Sequence, residues 1–188
     1  MGVHGYCSIV ASAAIVIATA VAADGEGLLA RVSLTPPAGY SELASDGGTR
    51  EWAAARAEPG AAARIVLLDR PRESWDDAAG ALKRLHRLLK DNCPGTRLEN
   101  LVRGVPANAE GAVRGILFCP SHNASGRGLV VVEDVIVAGD RMLIAKLAYD
   151  VPPFSAGARP LGREPRATAF AVLDSIAIRP SAPRVLPP

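Results

Sequence analysis

The clearest periodic signal in the chain runs from Ser74 to Asp91. There Trp75, Ala78, Leu82, Leu85 and Leu89 recur at steps of three and four, the spacing of one apolar stripe on a helix. Ser74 followed by Asp77 resembles a capping box with Asp in the place of Glu. Acids (Glu73, Asp76, Asp77) crowd the start and cations (Lys83, Arg84, Arg87, Lys90) the end, which suits the helix dipole at both ends. Asn92, Pro94 and Gly95 stop it. A helix with one greasy stripe must lie on something, and a sheet is the available surface.

The sheet is read from shorter patterns. Arg31 to Thr35 is a brief extended start, stopped by Pro36-Pro37. Thr49 to Arg56 and Ala62 to Leu68 read as a hairpin-like pair of strands after the turn signal Asp46-Gly47-Gly48. Arg97 to Arg103 and Ala112 to Cys119 read as two more strands. The strongest β signal follows: Leu129 to Val137 and Arg141 to Tyr149 flank Ala138-Gly139-Asp140 and are apolar at nearly every position. That hairpin is predicted to be central, covered on both faces, with Glu133 opposite Lys146 as an ion pair. Val151 to Pro165, with four prolines and two glycines, reads as a long irregular loop. Arg166 to Ser175 reads as a short helix, Ile176 to Ile178 as a last strand, and 180–188 as a disordered proline-rich tail. The expectation is one α+β domain over about 24–179. It has a mainly antiparallel sheet of about six to seven strands, covered by one long helix (about 74–91) and a shorter C-terminal helix (about 166–175).

The amino-terminal stretch changes the picture. Met1 to Ala23 contains no Asp, Glu, Lys or Arg, Ile9 to Ala20 is apolar, and Ala20-Val21-Ala22 offers a small-x-small cleavage pattern. This reads as a signal peptide over 1–23, cut after Ala22 or Ala23. Its apolar part, about 12 to 15 residues, falls short of the roughly 20 that span a bilayer. Retention as an anchor is the alternative; after cleavage no stable membrane span is expected. Arginine outnumbers lysine 18 to 3, a bias that favours a GC-rich bacterial source and a periplasmic or secreted address. Two cysteines then remain, Cys93 and Cys119, and an even pair in an exported chain reads as a disulfide. It would close a loop of about 27 residues, worth roughly 3.5 kcal/mol in the chain-entropy treatment.

The opening Leu34-Thr35-Pro36-Pro37-Ala38-Gly39-Tyr40, the segment Val102-Arg103-Gly104-Val105-Pro106-Ala107 and the closing Leu173-Asp174-Ser175-Ile176 resemble the PsbP/DcrB-like superfamily of small exported α+β proteins. The likeness spans nearly the whole chain after residue 23. It implies a non-enzymatic accessory or binding protein, and it supplies no catalytic motif to carry over.

Candidate chemistry is sparse. With 21 basic and 19 acidic residues the net charge is +2, too small for a nucleic-acid footprint. No metal set, phosphate cradle or cofactor motif is expected: the residues after 23 hold only His86 and His122, and His86 reads as a solvated helix residue. Ser121-His122 with Glu133 and Asp134 nearby is the one nucleophile-base-acid combination, and a small periplasmic hydrolase built on it is the alternative function. No Gly-x-Ser-x-Gly elbow surrounds the serine. Lys83, Arg87 and Lys90 form a basic helix face that offers a surface to an unidentified protein or envelope partner.

Overall fold

The computed structural model describes residues 27–55, 62–73 and 77–181. The expected leader, residues 74–76 and all but two residues of the expected tail lie outside them. In order the elements are α1 (Leu28–Arg31), β1 (Val32–Ser33), β2 (Tyr40–Asp46), β3 (Thr49–Ala54), β4 (Arg64–Pro71), α2 (Ala78–Lys90), β5 (Arg97–Leu101), β6 (Gly111–Cys119), β7 (Gly128–Ala138), β8 (Arg141–Val151), α3 (Arg163–Asp174) and β9 (Ala177–Ile178). Seven strands form one sheet in the order β2-β3-β4-β8-β7-β6-β5, antiparallel at every step, and β1 pairs with β9 in a separate two-stranded sheet.

The hairpin of β7 and β8 lies in the interior of the sheet, each strand 11 residues long. Gly139 turns it at φ +65°, a left-handed conformation that a two-residue hairpin loop favours and that glycine adopts without strain. Successive β residues point to opposite faces, so β7 feeds two separate cores. Val130, Val132, Ile136 and Ala138 join the larger one with α1, Ala169, Val172 and Leu173 of α3, and the β1–β9 pair. Val135 and Val137 meet Ala78, Ala81 and Leu82 of α2, while Val131 meets Cys93, Leu117 and Cys119. The close seat of α2 depends on Gly115. A Cβ there would stand 3.0 Å from side-chain carbons of Leu82 and Leu98.

The expected architecture needs correction. No single long helix covers the sheet: α2 has 13 residues and α3 has 12, one on each face. Of the described residues helix makes up 20% and strand 41%, so the fold is strand-dominated, with a second small sheet that was not foreseen. Three physical reasons account for the differences. Asp77, expected inside α2 as the capping partner of Ser74, is itself the N-cap; its carboxylate accepts the Gly80 N–H. The loop expected over 151–165 hid the first turn of α3. Gly162 is its N-cap and Pro165 sits within the opening turn, where an N–H has no helical partner to lose. The polar run Tyr40-Ser41-Glu42-Leu43-Ala44-Ser45-Asp46 makes no apolar alternation, yet it forms edge strand β2, with a bulge between Glu42 and Ala44. Arg31 is also helical rather than extended, closing the single turn of α1.

Candidate functional site: buried charge on the two faces of the central strand

β7 carries two consecutive acids in an otherwise apolar run, and the pleat sends them to opposite faces. Asp134 is fully enclosed on the α3 face. Arg114, its cross-strand neighbour on β6, donates from Nε to Oδ1 at 2.7 Å and from Nη2 to Oδ2 at 2.9 Å. Arg103, from the segment after β5, also donates to Oδ2. Both arginines then reach α3: Arg114 Nη2 to Asp174 Oδ1 at 2.8 Å, Arg103 Nη2 to the Leu173 carbonyl at 2.9 Å. The Arg114 guanidinium also lies 4.7 Å from the Phe170 ring centre. Burial works against the Arg114 charge, but the bonds to Asp134 and Asp174 outweigh it and raise its pKa. Every charge here is answered by protein, which makes the cluster a fastening between α3 and the sheet.

Glu133 is different. It is 1% exposed on the α2 face, and neither carboxylate oxygen has a hydrogen-bond partner among the described residues. Its one cation is Lys146 on β8, directly opposite, with Nζ 3.5 Å from Oε2. Burial pushes the Glu133 carboxyl above the usual carboxylate range; Lys146 opposes the shift and Asp134 adds a little to it. A third enclosed acid, Asp69, is satisfied: it accepts from Arg141 Nε and from the Leu28 N–H, both at 2.8 Å, and so holds α1. A surface cavity of about 360 Å³ lies beside α1, lined in part by Leu29, Val32, Glu42, Asp46 and Arg50. Arg50 is engaged there with Glu42 and the Val32 carbonyl.

The residues singled out from the sequence fall as follows. Ser121 is exposed and His122 half-buried after β6, and among the described residues they share no hydrogen bond; His122 instead donates its N–H to the Arg127 carbonyl at 2.8 Å. Glu133 and Asp134 are enclosed on opposite faces of the sheet, so the four residues do not converge. Cys93 and Cys119 stand at disulfide distance, Cα atoms 5.6 Å apart and both buried, joining the exit of α2 to the end of β6. Lys83, Arg87 and Lys90 are exposed on α2. His86 is half-buried rather than solvated, and its Nε2 is enclosed without a partner. Burial, then Lys90, lowers its pKa. Among the described residues no group of three His, Cys, Asp or Glu could hold a metal ion, and no helix is long and apolar enough to cross a membrane. Arg103, Arg114 and Asp174 were missed. The available signal was the pair of adjacent acids in an apolar strand, which forces one acid to each face.

No protein-family model matches the chain, and no curated protein matches it by sequence. Solved structures do. LpqN of Mycobacterium tuberculosis, described as involved in cell envelope biogenesis, aligns with a TM-score of 0.52 at 17% identity over 79% of this chain and 83% of LpqN. A Pseudomonas aeruginosa protein of unknown function aligns with a TM-score of 0.46, also at 17% identity, over 76% of this chain and 83% of its own. At such identities the likeness to LpqN is one of fold.

Proposed function

We propose that this chain is an exported, non-enzymatic accessory or binding protein of the cell envelope. The observation that carries the reading is the Cys93–Cys119 pair, placed at disulfide distance in the interior between α2 and β6. A structural disulfide persists in oxidising compartments, not in a reducing cytosol. The uncharged, apolar stretch before residue 24 supports export, and the fold shared with an envelope-biogenesis protein supports the address. The enclosed acids Asp134 and Asp69 are bound to arginines, an arrangement suited to scaffolding rather than to turnover. Kinship with the PsbP/DcrB-like superfamily belongs to the same proposal. It is supported by the run of strands, then α2, then β5 to β8, then α3 and a closing strand.

The test is made on the native product. Mass spectrometry after cell fractionation should find a chain shortened by its leader outside the cytosol, and thiol titration under denaturing conditions should find no free cysteine. An intact Met1 end with Cys93 and Cys119 both reduced in the cytosol would end the reading.

A further inference from the structure

We propose that the solvent face of α2 is an electrostatic docking surface for a lipid bilayer rich in anionic headgroups. The proposal rests on the envelope reading above and names the partner of one surface. α2 has the sequence Ala-Ala-Gly-Ala-Leu-Lys-Arg-Leu-His-Arg-Leu-Leu-Lys, with four cations and no acid. Its apolar stripe is used up against β6 and β7, so the cations project outward. Lys83, Arg87 and Lys90 lie within about 60° of one another on the helix circumference, at 100° per residue, and span about 10 Å along its axis.

What marks these three is that they are exposed, without a counterion and on one face of one helix; among the described residues Arg31, Arg70, Arg127, Arg163, Arg166 and Arg179 also form no ion pair, but they are scattered over other elements. Arg50, Arg64, Arg72, Arg84, Arg97, Arg103, Arg114, Arg141, Lys146 and Arg159 each form an ion pair with an acid. Among the described residues Lys83, Arg87 and Lys90 have none. The cationic strip continues past the helix. Asn123 donates from Nδ2 to the Asp91 carbonyl at 3.0 Å and from its N–H to the Asn92 carbonyl at 2.9 Å. These bonds bring the turn that carries exposed Arg127 onto the end of α2. Asp91 is the carboxylate at that end, and Glu73 at the other is joined to Arg84.

The shape favours a bilayer over a discrete acidic ligand. The cations stand on the outward, convex side of a helix. A row of unpaired, flexible cations on a convex helix matches a planar, delocalised negative surface. The helix is held rigidly beneath it, by Asp77 at its start and by the Cys93–Cys119 junction past its end.

The experiment measures partition of the purified full chain onto vesicles of phosphatidylcholine alone and of phosphatidylcholine with phosphatidylglycerol. The readout is the ratio between the two, in which any charge-independent binding cancels. Each cation near a charged surface contributes about a fivefold change in partition, so Lys83→Gln, Arg87→Gln and Lys90→Gln together should reduce the anionic preference about a hundredfold. The preference should also collapse in about 0.5 M salt, where the screening length is only a few ångströms. The melting temperature reports that the variant is folded. Equal partition on both vesicles, or an unchanged preference in the folded triple variant, overturns the proposal. So does capture by immobilised polyglutamate with no anionic-vesicle preference, which would assign the strip to acidic protein segments. The leader mass and thiol state decide the envelope reading separately, so either can fail alone.

Discussion

Each face of the sheet carries one of the two longer helices and one of the adjacent acids of β7, but the two faces are held together differently. On the α3 side Asp134 is bound by two arginines that continue to Asp174 and to the Leu173 carbonyl, so the helix is secured by directional, charged contacts. On the α2 side Glu133 is left without a hydrogen bond, and the helix is secured by Leu82, Leu85, Leu89 and the cysteine junction. Charge holds α3, whereas apolar packing holds α2 over an acid that opposes it. An enclosed charge with all its partners is costly to disturb from one side; an enclosed charge without them is a standing penalty.

The sharpest way to break the comparison is Asp134→Ala. It leaves Arg103 and Arg114 enclosed without their carboxylate, and stability should fall by about 3–5 kcal/mol in urea unfolding. A loss under 1 kcal/mol would show that the cluster does not secure α3. The corresponding lesion on the other face is Cys93→Ser with Cys119→Ser, which frees the end of α2. A loss of about 2–4 kcal/mol is expected, together with faster amide exchange in α2 than in α3.

Glu133→Gln tests the unmet acid and should act in the opposite direction. A carboxyl whose folded pKa is raised binds its proton more tightly in the native state than in the unfolded chain. The stability linked to it is therefore present below the unfolded pKa and lost as pH rises through the folded one. Removing the charge should raise stability at pH 8 by on the order of 1 kcal/mol, with the gain shrinking towards pH 4. Parallel pH–stability curves for the two proteins would contradict this. The smallest effect belongs to Asp77→Ala, which removes the cap of α2 for about 1 kcal/mol. Circular dichroism melts should register it.

Legibility in the sequence followed the distance over which each feature is specified. The β7–β8 hairpin and the Glu133–Lys146 register were readable because alternation and a two-residue turn are local. The pairing of Cys93 with Cys119 was readable because only two cysteines lie beyond residue 23. The start of α3 was not, because Pro165 looks like a breaker unless the first turn is already known. Edge strand β2 was not, because half-exposed positions carry no apolar signal. The Asp134 cluster draws on residues up to 70 positions apart, and only the sheet order brings them together.

One small feature reaches furthest. β1 and β9 pair as Val32 with Ile178 and Ser33 with Ala177; the Arg179 N–H donates to the Arg31 carbonyl, and Arg31 Nε donates to the Arg179 carbonyl. The polypeptide therefore enters and leaves the domain through one gate. Whatever is joined upstream or downstream departs from the same spot, so a single tether there would let the whole body swivel like a bead on a cord. Tension on the upstream flank would first load the contact between Leu28 and Asp69, and only then the two rungs of the gate.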